Sequence, residues 1–448
     1  MKNILTLITL LIITSCYNSK KTITATIITH DSITEKSSES ITKTFSKEER
    51  KVFKNKIFVK NIKTVLCHNI KNTESLPIIN LNSTEKLLIS FDDLDGDVKN
   101  YIYTIIHCDS EWKKSDILES EYITGFNTEI INNYEFSFNT IQKYTHYKFT
   151  FPNNTIKPLL SGNYIFKIMN ENKKEIAYKR FMILDRKVSI ESKVRKATLA
   201  QYRNTKHEID FKIKHPNINI TNPFSEIKVV VKQNNRSDNA ISDLQPIFVR
   251  NNELEYDYDD YNTFYANNEF RYFNISSLRY YSEKIKNIEF NGTLNNVYLF
   301  EDEKRTLDLY SIKIDKNGKF LINCEEASNI NIEADYTNVH FKLALDRINF
   351  GEIYLFGEFS EWQLNDDFKL TYNSEEKKYE GSVYLKQGYY NYYYAIKDTI
   401  YNQIDIPFIE GTHYQTRNNY FIYVYYRETS KRYDQLIGLL KTSSKELF

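Results

Sequence analysis

No charge of either sign predominates: sixty basic and 59 acidic side chains leave a net charge of +1 over 448 residues. A field that weak excludes attraction of nucleic acid or of a strongly acidic partner by the chain as a whole. Cysteine is scarce, and the three that follow Cys16, namely Cys67, Cys108 and Cys324, are scattered with no C-x-x-C spacing, so they read as small buried hydrophobes. Catalytic signatures are missing as well. There is no H-E-x-x-H, no G-x-S-x-G, no G-x-x-x-x-G-K and no G-x-G-x-x-G, and the eight histidines fall into no productive pattern. His107 and Cys108 are neighbours on one expected strand, where successive side chains face opposite ways and cannot chelate one ion together. An enzyme is therefore not expected, nor a cofactor, nor a small-molecule substrate. Long hydrophobic runs are also missing: the one apolar stretch, Ile4 to Ile13, falls short of the roughly 20 residues that span a bilayer.

That short stretch has a different meaning. Lys2 precedes it and Thr14-Ser15-Cys16 closes it, which gives residues 1–15 the layout of a cleaved export signal. The pattern resembles a bacterial lipobox, which implies a diacylglyceryl group on Cys16 and a lipid anchor in the outer membrane; an ordinary secretory signal is the plainer alternative. Residues 16–55 are rich in Ser, Thr, Lys and Glu with no sustained period, and are expected to be a flexible tether.

Aromatic residues are plentiful, with 36 Tyr and 28 Phe. From Lys56 onward they alternate with polar residues at period two, as in Tyr101-Ile102-Tyr103-Thr104-Ile105-Ile106, Tyr164-Ile165-Phe166-Lys167-Ile168 and Tyr310-Ser311-Ile312-Lys313-Ile314. Asn317-Gly318 supplies the positive φ angles of a two-residue turn into Phe320-Leu321-Ile322. No segment longer than ten residues keeps a capped helical face. The expected fold is all-β, a tandem of immunoglobulin-like β-sandwich domains at 56–186, 187–330 and 331–428, followed by a tail at 429–448.

Two further features invite a site. Asp93, Asp95 and Asp97, in Asp92-Asp93-Leu94-Asp95-Gly96-Asp97, offer hard oxygens to calcium, but the order of an EF-hand loop is absent and an acidic turn explains them better. In the tail, Tyr433, Leu436 and Ile437 are either a docking peptide or pack on the third sandwich, with packing favoured.

The block from 336 to 427, with Gly357, Phe359 and Trp362 in a Gly-x-Phe-x-x-Trp turn followed by Gly388-Tyr389-Tyr390, resembles the early-set immunoglobulin-like domains that adjoin or bind glucans. That resemblance implies a glycan-binding lipoprotein as an alternative function, although a packing role suits Trp362 better than a sugar platform. A wider resemblance covers nearly everything after the tether. LLISFDDLDGDVKNYIYTIIHCDSEW, from Leu87 to Trp112, together with ATLAQYR from Ala197, VVVKQNNRSDNAI from Val229, NNEFRYFNISSLRYY from Asn267 and SKRYDQLIG from Ser430, is similar to the plug proteins of the bacterial type IX secretion system. The resemblance implies a non-catalytic stopper at the periplasmic face of the outer membrane, with a large translocon β-barrel as partner. It transfers no binding residues; Trp112, Trp362, Tyr433, Leu436 and Ile437 are the candidates for contact.

Overall fold

The Asn419–Tyr426 strand organises the chain, because both of its faces are buried. Tyr420, Ile422 and Val424 point into one hydrophobic core and Phe421, Tyr423 and Tyr425 into another. A strand covered on both faces reads as a continuous apolar run, and Asn419-Tyr420-Phe421-Ile422-Tyr423-Val424-Tyr425-Tyr426 is such a run. Its neighbours are Ile227–Gln233 on one edge and Gln435–Ser443 on the other, both antiparallel. The computed structural model describes residues 51–400 and 403–447. The signal, Cys16 and the tether as far as residue 50 lie outside the described residues.

Three all-β sandwiches result. In the first, Lys56–Ile57, Glu175–Leu184, Gly162–Asn170, Tyr101–Cys108 and Thr128–Ile131 form one sheet, with Ile78–Asn80 added in parallel to Glu175–Leu184. Ile62–Asn69, Leu87–Asp93, Thr145–Phe151 and Tyr134–Phe136 form the other. Period-two alternation puts Phe91, Tyr101, Tyr147, Phe166 and Phe181 between the sheets. Phe166 and Phe181 stack with centroids 4.0 Å apart, and such a pair is worth about 0.5–1.5 kcal/mol beyond its buried area.

The second sandwich sets Ser189–Lys196, Lys206–Lys214, Glu253–Tyr256 and Phe248–Arg250 against the sheet that holds Asn419–Tyr426. The third sets Ile285–Phe290, Asn295–Leu299, Tyr336–Ala344, Lys378–Lys386 and Thr371–Asn373 against Arg271–Asn274, Phe320–Ile322 and Gly351–Phe356, all three of which pair with the long Gly388–Asp398 strand.

The domain boundaries therefore differ from those expected at 187–330, 331–428 and 429–448. Strands between 271 and 322 belong to the third sandwich, whereas 419–426 and 435–443 return to complete the second. Sheet membership is set by pairing partners distant in the chain, and local composition does not carry it. The tether also ends earlier than residue 55: Phe53 is buried, and its N–H donates to the Trp112 carbonyl at 2.9 Å. Asn317 and Gly318 do adopt positive φ, 53° and 81°, but Tyr310–Ile314 forms no strand before them. Gly318 has no substitute, since a Cβ there would meet the Trp362 ring at 2.2 Å.

Leu436 and Ile437 have no exposed surface, and the Asp185 and Lys187 N–H groups donate to their carbonyls at 3.0 and 2.9 Å. The tail is thus the edge strand of a sheet of the second sandwich, packed into its cores, and does not pack on the third as expected. Ile437→Ala is expected to cost ~2–5 kcal/mol in chemical denaturation, and removal of residues 431–448 to abolish folding. A truncated chain that melts like the parent would contradict this.

Candidate functional site

Where the three sandwiches meet, buried side chains from distant parts of the sequence converge. Between the first and third, Asp92 is the hub. Its carboxylate accepts from Lys386 Nζ at 2.6 Å and from the Tyr336 hydroxyl at 2.7 Å, and it lies 2.7 Å from His146 Nδ1. Burial opposes its charge, but the Lys386 ammonium and the His146 bond outweigh burial and hold the Asp92 carboxyl below its ordinary range. Asp335 extends the contact by accepting from the Ile141 and Gln142 N–H groups at 2.6 and 3.0 Å.

The first and second sandwiches share a core in which Tyr178, Met182 and Cys108 face Phe421, Tyr423 and Leu436. At its rim, Asp434 accepts from the Ser110 N–H at 2.8 Å. Gly162 lies beneath, with φ 144°, where a Cβ would meet His107 Nε2 at 2.6 Å and the Asp434 carbonyl at 2.9 Å. The second and third sandwiches meet where the Arg236 guanidinium lies 5.0 Å over the Phe356 ring and 5.4 Å over the Trp362 ring.

These junctions enclose a cavity of about 1160 Å³, with walls drawn from all three sandwiches. Trp112 and Trp362 both line it; Tyr433, Leu436 and Ile437 do not. Trp112 is buried under Arg180, whose guanidinium carbon is 4.2 Å from the ring centroid. Trp362 is half-buried and packs edge-on to Phe356 and Phe270 at 5.4 and 6.1 Å. Tyr433 lies edge-on to His107 at 5.8 Å. Asp93, Asp95 and Asp97 are brought together, but the Lys99 ammonium sits among them, 2.8 Å from Asp93 and 3.2 Å from Asp97 and in short contact with Asp95. A charged side chain thus already supplies the cation that this turn needs. Cys67, Cys108 and Cys324 are buried and unpaired.

On the outer surface, the segment after Glu303 holds Leu307, Leu309 and Ile314 at 96, 93 and 88% exposure, with Ile312 also exposed. These side chains lie near one another in sequence and are uncovered among the described residues, which makes the segment a candidate interaction surface.

Residues 62–185, the span of the first sandwich, match the family model of the type 9 secretion system plug protein 1st domain. The chain belongs to the type 9 secretion plug family. A crystal structure of a hypothetical protein from Parabacteroides merdae is similar over 88% of this chain and 100% of its own, at 35% identity and a TM-score of 0.85. No curated protein matches the chain. The relative extends the likeness beyond the matched domain to the fold as a whole.

Sequence reasoning gave Asp92 no role beyond the acidic turn and passed over Arg180 and Lys386, and no local signal could have found their contacts. Lys386 and Asp92 are 294 positions apart, and each is an ordinary polar residue on an alternating strand.

Burial also makes this plug-family chain sensitive to acid. His107 and His207 are both pushed down to about 4, chiefly by burial. His207 lies 2.7 Å from the Tyr420 hydroxyl through Nδ1 and 2.5 Å from the Tyr414 carbonyl through Nε2, a pairing that suits the neutral ring with its proton on Nε2. Since the unfolded ring titrates near the ordinary 6.5, the unfolded state binds more protons between that value and about 4. The contribution is intact above pH 6.5 and is lost as pH falls toward 4, up to ~3 kcal/mol for each ring. The thermal midpoint is expected to fall from pH 7 to pH 5, and by less in His207→Asn; an identical drop in the variant would contradict the assignment.

Proposed function

We propose that this protein is a non-catalytic plug that binds and seals the periplasmic end of the type IX secretion translocon barrel, held at the outer membrane by a lipid on Cys16. The observation that carries the proposal is the family match of residues 62–185, placed within a body whose first and second sandwiches share a core and whose third is inserted between strands of the second. A stopper has to resist deformation while it fills an opening, and a shared core with buried polar contacts couples its parts more tightly than flexible linkers would. A lipid tether would add to this by raising the local concentration of the plug near barrels in the same membrane.

Leu307, Leu309 and Ile314 support a docking role, because their apolar surface has no cover within the described residues. The tail residues Leu436 and Ile437 are spent on the internal core and leave that role to others. The glycan alternative needs an open aromatic face, and Trp362 instead packs against Phe270, Phe356 and Arg236.

Tagged protein recovered from membranes is expected to bring down a very large outer-membrane barrel. Replacing Leu307, Leu309 and Ile314 together with Asp is expected to cut that recovery at least tenfold without lowering the thermal midpoint. Recovery unchanged in the triple variant would remove this segment from the interface, and absence of the barrel with the unaltered protein would overturn the plug itself.

A further inference from the structure

The cavity between the sandwiches contains two cations with no carboxylate partner. Lys232 is only 6% exposed, and its ammonium is accounted for by the Ser237 hydroxyl at 3.1 Å and the Tyr423 ring face at 5.4 Å. Arg180 donates to the Phe53 carbonyl and lies over Trp112. Among the described residues no carboxylate lies within salt-bridge distance of either. The nearest candidates are already engaged: Asp238 in a two-bond fork with Arg236 at 3.1 and 2.6 Å, and Glu361 with Lys179 at 2.5 Å and Asn55 at 2.7 Å.

Burying basic groups without a partner is costly, and a structure that keeps two on the wall of one cavity offers a place for an anion. The strain is visible in their proton affinities. Burial pushes Lys232 down to about 7, with Arg180 adding to the shift and Asp238 partly opposing it; Arg180 itself is pushed down to about 10, again chiefly by burial. Beside the two cations the wall turns apolar, with Leu76, Ile78, Met182 and Val230 lining the same space. A volume of about 1160 Å³ lies slightly above the range of ~300–1,000 Å³ usual for small-molecule sites.

We propose that this cavity binds an anionic amphiphile, with a carboxylate or phosphate head between Arg180 and Lys232 and an apolar chain along Leu76, Ile78, Met182 and Val230. The head supplies the counter-charge that the protein lacks there, and the chain covers the apolar wall. Trp112 and Tyr423, whose rings lie under the Arg180 and Lys232 cations, line the same space. This site does not depend on the sealing role: a plug with an empty cavity would still fill its barrel, and an amphiphile site would still exist in a protein that met no barrel.

Calorimetric titration of the full chain tests this with three probes: decanoate, decanol and inorganic phosphate. Decanoate is expected to bind at least tenfold more tightly than either of the others, since it alone has both head and chain. Lys232→Met, which keeps the length but removes the charge, is expected to weaken decanoate at least tenfold while raising the melting midpoint of the unliganded protein. Lys232→Arg is expected to retain binding. Decanol or phosphate binding as tightly as decanoate would overturn the proposal, as would no binding of any probe or undiminished decanoate affinity in Lys232→Met. The contrast among the three probes in the unaltered protein stands even if the Met variant does not fold.

Discussion

Everything in this molecule depends on a strand that has no free face. Asn419–Tyr426 buries alternate side chains in the core of the second sandwich and in the core that the second shares with the first. Neither core can lose it without opening the other. Because the strand arrives late in the chain, the second sandwich cannot close until the third has been traversed, so the three parts are interlocked in sequence as well as in space. That interlock sets this protein apart from a string of independent sandwiches on linkers, whose interfaces would be small and polar and whose default would be relative motion.

The charged hubs act differently from the cores. Asp92 with Lys386, Tyr336 and His146 gains little net stability over an apolar filling, since removing those groups from water offsets most of their attraction. What such a hub adds is register: the carboxylate is satisfied only when the first and third sandwiches sit in one relation to each other. Glu361, which bridges Asn55 and Lys179 of the first sandwich from the Trp362 turn of the third, works in the same way. The arrangement fixes orientation through polar groups and holds it through apolar ones.

How much of this was legible in the sequence depends on the range of the interaction. Strands such as Leu87–Asp93, Tyr101–Cys108 and Gly162–Asn170 announce themselves by period-two alternation, and Asn317-Gly318 announces its turn, because both are local effects. Tyr310–Ile314 shows the limit of that signal. It alternates as a strand does, yet Ile312 and Ile314 face solvent and the segment pairs with no strand among the described residues; the pattern records apolar spacing without saying what covers it. Domain boundaries failed for the opposite reason, since the partners of 227–233 lie almost 200 residues away at 419–426. Of the residues singled out for contact, Trp112 and Trp362 do border the cavity, whereas the unpaired cations Arg180 and Lys232 that give it character look like any exposed basic residue on a strand.

Membership of the plug family gives this architecture its purpose, and one interlocked body is the property that purpose needs most. Differential scanning calorimetry of residues 51–448 tests it directly. The structure predicts one cooperative transition in which the calorimetric and van't Hoff enthalpies agree, because no sandwich can unfold alone. Two or three resolved transitions, or a van't Hoff enthalpy well below the total calorimetric enthalpy, would show that the sandwiches open separately and would contradict the account.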